Sequence, residues 1–482
     1  MRAKSLFIAT LLLTTSPLAA YAGTTPDDAA KVKAALQAYL GGDSNAVKIV
    51  PDGDGYKVSI DTSEIAKAAK TNGIEMSLQT FDFDLKPLGS GKWKFHHEGP
   101  LSVAMKSRDK IDLAEKADSA TMDGEFDEAL GSFTTLKASA KNFTVKEVIV
   151  DPKGVTINAD LKYDSIDTMM TGTAAASGGV DLKFNYNVGH GDLTEDISST
   201  GEPPLHLVIA MGPGSGEGTA ANLKSLPMLQ IIKFFNTHPT KELLGNDQAA
   251  FKTILGDMLP GFGTVDLKAS IGKTTVLSPL GTFGAEKIGL TFAANGAVKD
   301  GKFAEGVSLE GLSIPPSLVP SWASSLVTKN VGVGFSVAGF DLESVAKAAI
   351  AAADFTKNPP VSVAVSDSFP ALLLPAGSVK VTVSNTTISN DTYKITLDGT
   401  VDAGPTARPT GKAHITAKGL DEVMKAMQAA PPEAGLQGGA AVIVVAKGMG
   451  TAGSDGSITW DIEATPEGKI TVNGIDVSQL AK

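Results

Sequence analysis

Cysteine is absent from the chain. That absence removes disulfides, thiolate metal sites and cysteine nucleophiles together, and it leaves no cysteine for a lipid anchor after the N-terminal apolar stretch. Arginine is nearly absent as well, since Arg108 and Arg408 are the only two beyond Arg2. With bidentate phosphate readers so scarce and a formal charge of −11, nothing favours a nucleic-acid partner. Aromatic residues make up 6% of the chain, and the ring platform of a sugar site is hard to assemble from Trp93, Trp322 and Trp460 alone. Apolar runs are short throughout. None reaches the roughly 20 residues of a spanning helix, so no transmembrane segment is expected once the N-terminal signal is cleaved.

What is present starts with that signal. Arg2 and Lys4 form a charged region, Leu6 to Leu13 an apolar core, and Ala20-Tyr21-Ala22 a small-x-small cleavage site, so export to the periplasm with cleavage near Ala22 is expected. Removing residues 1–22 takes away two positive charges and moves the formal charge from −11 to −13. The rest is long enough for two or three units at roughly 150 residues each. The 51 glycines mark turns rather than disorder, because 42% of the residues are hydrophobic and they alternate regularly.

The alternation predicts an α+β protein that is predominantly antiparallel β: a long chain of hairpins forming extended, curved sheet, covered by short amphipathic helices. A first helix is expected at Asp27 to Leu40, capped by Thr25 or Asp27. Period-two runs follow, such as Val155-Ile157-Ala159-Leu161-Tyr163 and Val180-Leu182-Phe184-Tyr186-Val188. Breaks are expected at Ser90-Gly91, Asp123-Gly124, Asp151 to Gly154 and Ser177 to Gly179. Residues 23–215 thus read as an N-terminal β-rich half, 216–262 as a helical insertion after a flexible glycine link at Gly212 to Gly218, and 263–482 as a C-terminal β-rich half. Ala441 to Ala446 is among the strands expected there.

One local grammar recurs three times: a strand, an aspartate, then a short amphipathic helix. Asp61 precedes the run Ile65 to Ala69, Asp341 precedes Val345 to Ala353, and Asp421 precedes Val423 to Ala430. Each aspartate is placed to cap the free amides of a first helical turn, and Glu64 gives the first copy a capping-box spacing.

Chemistry is sparse. Ser215 is flanked by Pro213 and Glu217 where a nucleophile elbow needs glycines, and Glu217 also occupies the third glycine position of a dinucleotide loop. Leu267 stands where a phosphate loop ending in Gly272-Lys273-Thr274 needs its first glycine. His96 and His97 are adjacent and face opposite sides of a strand, and His190, His206, His238 and His414 show no metal-ligand spacing. Asp52-Gly53-Asp54-Gly55 lacks the remaining calcium-loop ligands and reads as a hairpin turn. No catalytic residue, metal site or cofactor is expected, and the chain reads as a non-enzyme. The most distinctive surface candidates are Leu226, Leu229, Ile231, Ile232, Phe234 and Phe235, on a nearly all-apolar helix, together with Trp322. They form either a cap on an open sheet end or a lid that meets lipid or a partner.

The run Gly411 to Asp421, the helix after it and the ending Ile458 to Gly474 resemble the exported alphaproteobacterial family called domain of unknown function 2125. The segment from Pro315 to Phe340 is similar in style. The closing turn-and-strand phrase is also similar to the exported family of domain of unknown function 945. These resemblances imply envelope location and a β-rich build, with no catalytic motif to carry over. The expected function is therefore a non-catalytic envelope protein that binds a hydrophobic ligand, such as a lipid, or a protein partner on a large antiparallel sheet. A structural or assembly scaffold without a small ligand is the alternative, and a hydrolase without a recognisable motif comes third.

Overall fold

The computed structural model describes residues 24–40, 47–63, 74–107, 111–151, 154–199, 201–238, 241–405 and 408–478. The expected export signal, and the expected helix at Ile65 to Ala69 with Glu64, lie outside the described residues. Among the described residues strand takes up 53% and helix 22%, and the strand ladders are antiparallel, so the α+β, β-dominated class holds. Among the described residues, no helix is long and apolar enough to cross a membrane.

Two compact units divide the chain: residues 1–265 with 346–367, and residues 266–345 with 368–482. This differs from the blocks expected at 23–215, 216–262 and 263–482. Residues 346–367 return to the first unit because Phe355 packs edge-on to Phe251 at 4.9 Å and the Lys252 Nζ donates to the Ala351 carbonyl at 3.0 Å.

The first unit opens with helix α1 (Pro26–Leu40). Its cap is Thr25, whose hydroxyl oxygen accepts from the Asp28 amide at 3.2 Å. Val32 and Leu36 of α1 are buried against a sheet made of β1 (Val47–Asp52), β2 (Gly55–Ile60), β3 (Ile74–Leu78), β4 (Phe81–Gly89), β5 (Lys92–Ser107), β6 (Ile111–Asp127), β7 (Ser132–Val150) and β8 (Thr156–Ala174). Ladders join β1 to β2, β2 to β4, both β3 and β4 to β5, and then β5 through β8 in order. Strand β8 has two partners end to end: β9 (Val180–Val188) on its C-terminal part and β10 (Gly191–Ser198) on its N-terminal part. Outside them lie β12 (Gly214–Leu223) against β9 and β11 (Leu205–Met211) against β10. Most hairpin signals sit where expected. Ser90 and Gly91, at φ 53° and 72°, make the tight turn between β4 and β5.

Two turn signals were misleading. Asp123-Gly124 lies inside β6, where a Cβ on Gly124 would stand 2.6 Å from the Thr135 carbonyl oxygen. The expected flexible link at Gly212 to Gly218 is largely strand β12. Its glycines admit side chains from β9, since a Cβ on Gly216 would stand 2.4 Å from the Tyr186 ring. In both places glycine serves close approach rather than a turn.

The tight core occupies one end of this sheet. Tyr56, Phe81, Phe83, Trp93, Phe95, Phe126 and Phe133 interlock under α1, with Phe126 and Phe133 edge to face at 5.4 Å. The helices α2 (Ser225–Thr237), α3 (Lys241–Asn246) and α4 (Gln248–Asp257) follow β12 in sequence.

In the second unit a ladder runs through β13 (Thr264–Ile271), β16 (Lys287–Asn295), β17 (Gly301–Glu310), β18 (Asn330–Phe340), β19 (Val379–Ser389), β20 (Lys394–Ala403), β21 (Thr410–Lys418), β23 (Ile458–Ala464), β24 (Ile470–Val472) and β25 (Ile475–Asp476). Strands β14 (Thr274–Ser278) and β15 (Gly281–Ala285) form a side hairpin, and β22 (Thr451–Ala452) pairs with β23. Of the three expected aspartate caps, Asp341 fits. It accepts from the Ser344 amide at 2.8 Å and the Ser344 hydroxyl at 2.7 Å, and so caps α5 (Leu342–Ala352). Those two bonds, the amide first, hold its carboxyl below the ordinary value despite burial.

Two short helices follow α5 in sequence, α6 (Val363–Ser366) and α7 (Phe369–Leu373). Asp421 does not cap. The helix α8 (Leu420–Gln428) starts after Gly419 in the left-handed region, and Asp421 instead pairs with Lys447. The Asp61 carboxylate accepts from the Ser63 amide at 2.9 Å. The expected strand at Ala441 to Ala446 is part of helix α9 (Gln437–Met449). A short apolar run suits either structure; in the helix the Ala446 carbonyl accepts from the Trp460 indole at 2.7 Å.

Candidate ligand-binding face

In an antiparallel ladder, directly opposed residues share a face. The registers of the first unit therefore line up continuous cross-strand rows on one side of β5 to β12. One row is Met122, Ala138, Thr168, Tyr186 and Gly216; another is Val103, Glu115, Val145, Leu161, Leu193 and Ile209. Near the aromatic core these rows are closed over. Farther along, Phe143, Val145, Leu161, Tyr163, Ile166, Leu193 and Ile209 are half-buried, neither sealed into a core nor fully wet.

The strands are long, and a regular pleat alone would not keep their apolar residues together. In β6 the apolar-face residues are Ala120 and Met122 on one side of a break but Leu113, Glu115 and Ala117 on the other, because Leu101 pairs with Ala117 and Gly99 with Ala120. The same slip recurs in β7 between Ala140 and Phe143 and in β8 between Tyr163 and Ile166. It continues where β9 gives way to β10 and β11 to β12. This line of bulges lets each strand change parity together, so the apolar side chains stay on one face. Asn142, at φ 50°, is the bulge residue of β7, and its Nδ2 donates to Asp118 at 3.2 Å. Asn222 and Asn385, at φ 53° and 52°, also sit at bulges, but there the backbone N–H is the donor, to Asp181 at 2.8 Å and to Asp398 at 3.1 Å.

Tyrosine rings floor the middle of the face. Tyr163 lies over Gly191, where a Cβ would come within 2.5 Å of the ring, and Tyr186 lies over Gly216. The Tyr163 hydroxyl sits 3.7 Å from the Met211 Sδ, and burial, with Tyr186 adding to it, raises the phenol above its ordinary value. Tyr163 therefore contributes a neutral ring to the floor. The lysines of these strands, among them Lys116, Lys146, Lys162 and Lys183, fall on the opposite face by the same registers. Every charged side chain on the apolar face of β5 to β12 is a glutamate: Glu115, Glu147 and Glu195.

His96 and His97 face opposite sides, as expected. His96 meets Asp123 at 2.8 Å on the charged face. His97, 4% exposed, stacks on Phe81 with ring centroids 4.5 Å apart, and its Nδ1 lies 2.6 Å from the Asp82 carbonyl oxygen. A carbonyl only accepts, so Nδ1 carries the proton there. The Nε2 is buried without a partner and points toward Gly99, where a Cβ would lie 4.0 Å away.

The helix that drew most attention in the sequence is packed along one side and leaves Leu226 and Phe235 exposed. Leu229 is 3% exposed and, with Leu226, would be struck by a Cβ on Gly131; Ser225 donates to the Leu130 carbonyl at 2.5 Å. Phe234 stacks on Phe251 at 4.9 Å and on His238 at 3.9 Å. Ile231 and Ile232 are half-buried, and Phe235, 48% exposed, still meets Phe251 edge-on at 5.1 Å. These contacts fasten α2 to the β6–β7 turn and to α4. Trp322, half-buried in a 3-10 turn (Ser321–Leu326), belongs to the second unit. Sequence reading expected a ligand on a large antiparallel sheet and recognised its strands, but named none of the residues that the face brings together. The missing signal was register, which no single strand carries.

The second unit holds two further features. On its charged face a groove of about 870 Å³ is lined by Lys412, His414, Asp461 and Glu463 among others. There the His414 Nδ1 meets Asp461 at 2.7 Å and its Nε2 meets the Thr416 hydroxyl at 3.2 Å, in the order of a hydroxyl, imidazole and carboxylate relay. Strand β21 is paired on both sides, so its backbone amides are engaged in ladders and supply no pair of donors for an oxyanion. On the opposite face Leu290, Val307 and Val333 form one row, with Leu290 and Val333 each 46% exposed and Phe335 beside them.

Among the described residues, no group of three or more histidine, aspartate or glutamate side chains is arranged to hold a metal ion. The sequence matches no family model and no curated protein.

Proposed function

We propose that the protein is a non-catalytic periplasmic protein of the cell envelope that holds a hydrophobic ligand, of lipid type, on the apolar face of its first unit. The observation that carries this reading is the row-by-row continuity of half-buried apolar side chains across β5 to β12, floored by Tyr163 and Tyr186. A sheet built only for stability would bury such side chains fully; leaving them half-buried over long strands is costly unless something else covers them. Export follows from the signal at residues 1–22, and membership of the family of domain of unknown function 2125, with a more distant link to that of 945, remains part of the proposal.

The test is native mass spectrometry of the protein purified from its own periplasm, followed by organic extraction. A stoichiometric lipid supports the reading and identifies the ligand. A chain that is consistently empty, and that also fails to bind an apolar fluorophore, refutes it. The exposed row of Leu290, Val307 and Val333 favours a second reading, a protein contact in an envelope scaffold, and the same spectra would register it as a complex or oligomer.

A further inference from the structure

We infer that the ligand of the apolar face carries its polar linkage in the middle of its length, as the ester carbonyls of a neutral two-chain acyl lipid do, and that Tyr163 and Tyr186 donate to those carbonyls. The inference rests on the ligand-binding reading and names the ligand class for the same face.

On β7 to β12 the polar side chains of this face, apart from Glu147 and Glu195, are hydroxyls: Tyr163 and Thr168 on β8 and Tyr186 on β9. Thr168 stands directly opposite Tyr186, and Tyr163 lies on the other side of the bulge in β8. Both rings lean toward the outer strands, Tyr163 over Gly191 with its hydroxyl 3.7 Å from the Met211 Sδ, and Tyr186 over Gly216. A thioether is a weak acceptor, and among the described residues the Tyr186 and Thr168 hydroxyls have no hydrogen-bond partner. A tyrosine that the chain itself buries is treated differently. The Tyr393 hydroxyl meets the Thr328 hydroxyl at 2.7 Å and donates to the Leu326 carbonyl at 3.1 Å.

The three hydroxyls are half-buried, so water reaches them while the face is bare. A purely apolar chain laid over them would strip that water and return no hydrogen bond, a cost that falls on every hydroxyl it covers. A covering ligand therefore needs acceptors at this level of the face and hydrocarbon on either side of it. The floor has room for both arms. From Tyr163 to Ile157 the half-buried residues of β8 run for about 20 Å, and from Tyr186 to Leu182 those of β9 run for about 13 Å in the opposite direction. An ester carbonyl only accepts, which suits a phenol O–H, and burial, with Tyr186 adding to it, keeps the Tyr163 phenol protonated. A free carboxylate also accepts, but Glu147 and Glu195 on the same face repel it.

The test uses the full mature protein with N-phenyl-1-naphthylamine as fluorescent reporter of the apolar face and two competitors that differ only in the linkage. These are 1,2-dioctanoylglycerol, a diester, and 1,2-dioctylglycerol, its diether without carbonyls. The diester should displace the reporter at a concentration roughly tenfold below the diether, as two hydrogen bonds of ordinary strength give. Tyr163→Phe combined with Tyr186→Phe keeps both rings and removes both donors, and the ratio between the two competitors should fall to about twofold or less. The ratio is taken within one protein, so a change in reporter affinity cancels from it. Each single variant, the milder change, should lower the ratio in part. Equal displacement by diester and diether in the wild type, or a preference that survives the double variant, overturns this inference, while displacement itself leaves the apolar site standing. If neither the reporter nor either lipid binds, both the inference and the proposed function fall.

Discussion

Gly216→Ala tests the floor of the apolar face directly. The new Cβ would stand 2.4 Å from Cε1 and Cζ of Tyr186 and 2.6 Å from its hydroxyl oxygen, where ordinary contact begins at 3.4 Å. The ring must therefore retreat by about 1 Å or more, and since the strand behind it is fixed by the β9–β12 ladder, it swings away from the sheet. Overpacking of this kind costs about 1–3 kcal/mol, read as a lower urea midpoint at unchanged slope. The displaced ring would then stand where an apolar ligand lies, and a loss of about 1.4 kcal/mol in binding would weaken N-phenyl-1-naphthylamine roughly tenfold. Adding Tyr186→Ala should relieve the clash and restore much of the affinity, a non-additivity expected of groups in contact. Unchanged reporter affinity in a destabilised Gly216→Ala protein would remove Tyr186 from the ligand site. Unchanged stability would refute the ring-on-glycine packing itself.

Asp341→Ala should lower the thermal midpoint by uncapping α5. Because the Asp341 carboxyl is held below its ordinary value, its contribution is present above the ordinary carboxylate range and is lost as pH falls through the lowered value; a midpoint difference between wild type and variant that does not shrink in acid would refute the cap. Trp460→Phe should cost about 0.5–1.5 kcal/mol in denaturant unfolding by removing the donor to the Ala446 carbonyl, and no change would detach α9 from the sheet. His238 should titrate above the ordinary histidine value in an NMR experiment, chiefly through its bond to Asp247 at 2.9 Å and then through the Phe234 carbonyl. The stability it contributes is full below the ordinary histidine value and is lost as pH rises through the raised one, and Asp247→Asn should move the titration back down.

The sequence alone determined the class of this protein. Alternation with period two gave long antiparallel strands, Ser90-Gly91 and Ser177 to Gly179 gave real turns, and Asp341 gave a real cap, because each is a local property of a few neighbouring residues. Glycine was ambiguous: the same residue that opens a turn at Gly91 makes room for Thr135 at Gly124 and for Tyr186 at Gly216, and only the partner strand distinguishes the two uses. The apolar run from Ala441 to Ala446 was ambiguous in the same way, and it lies in a helix whose Ala446 carbonyl accepts from Trp460. The helix from Leu226 to Phe235 looked like a surface feature in sequence because it is apolar nearly all round, yet Gly131, Leu130 and Phe251 take up much of it. The candidate site was beyond local reading. Val145, Leu161, Leu193 and Ile209 are separated by 16, 32 and 16 residues in the chain, and each by itself is one apolar residue among many. Register between strands, set by bulges at residues such as Asn142, is what placed them side by side on one apolar face, and register is a property of pairs of strands that no single strand encodes.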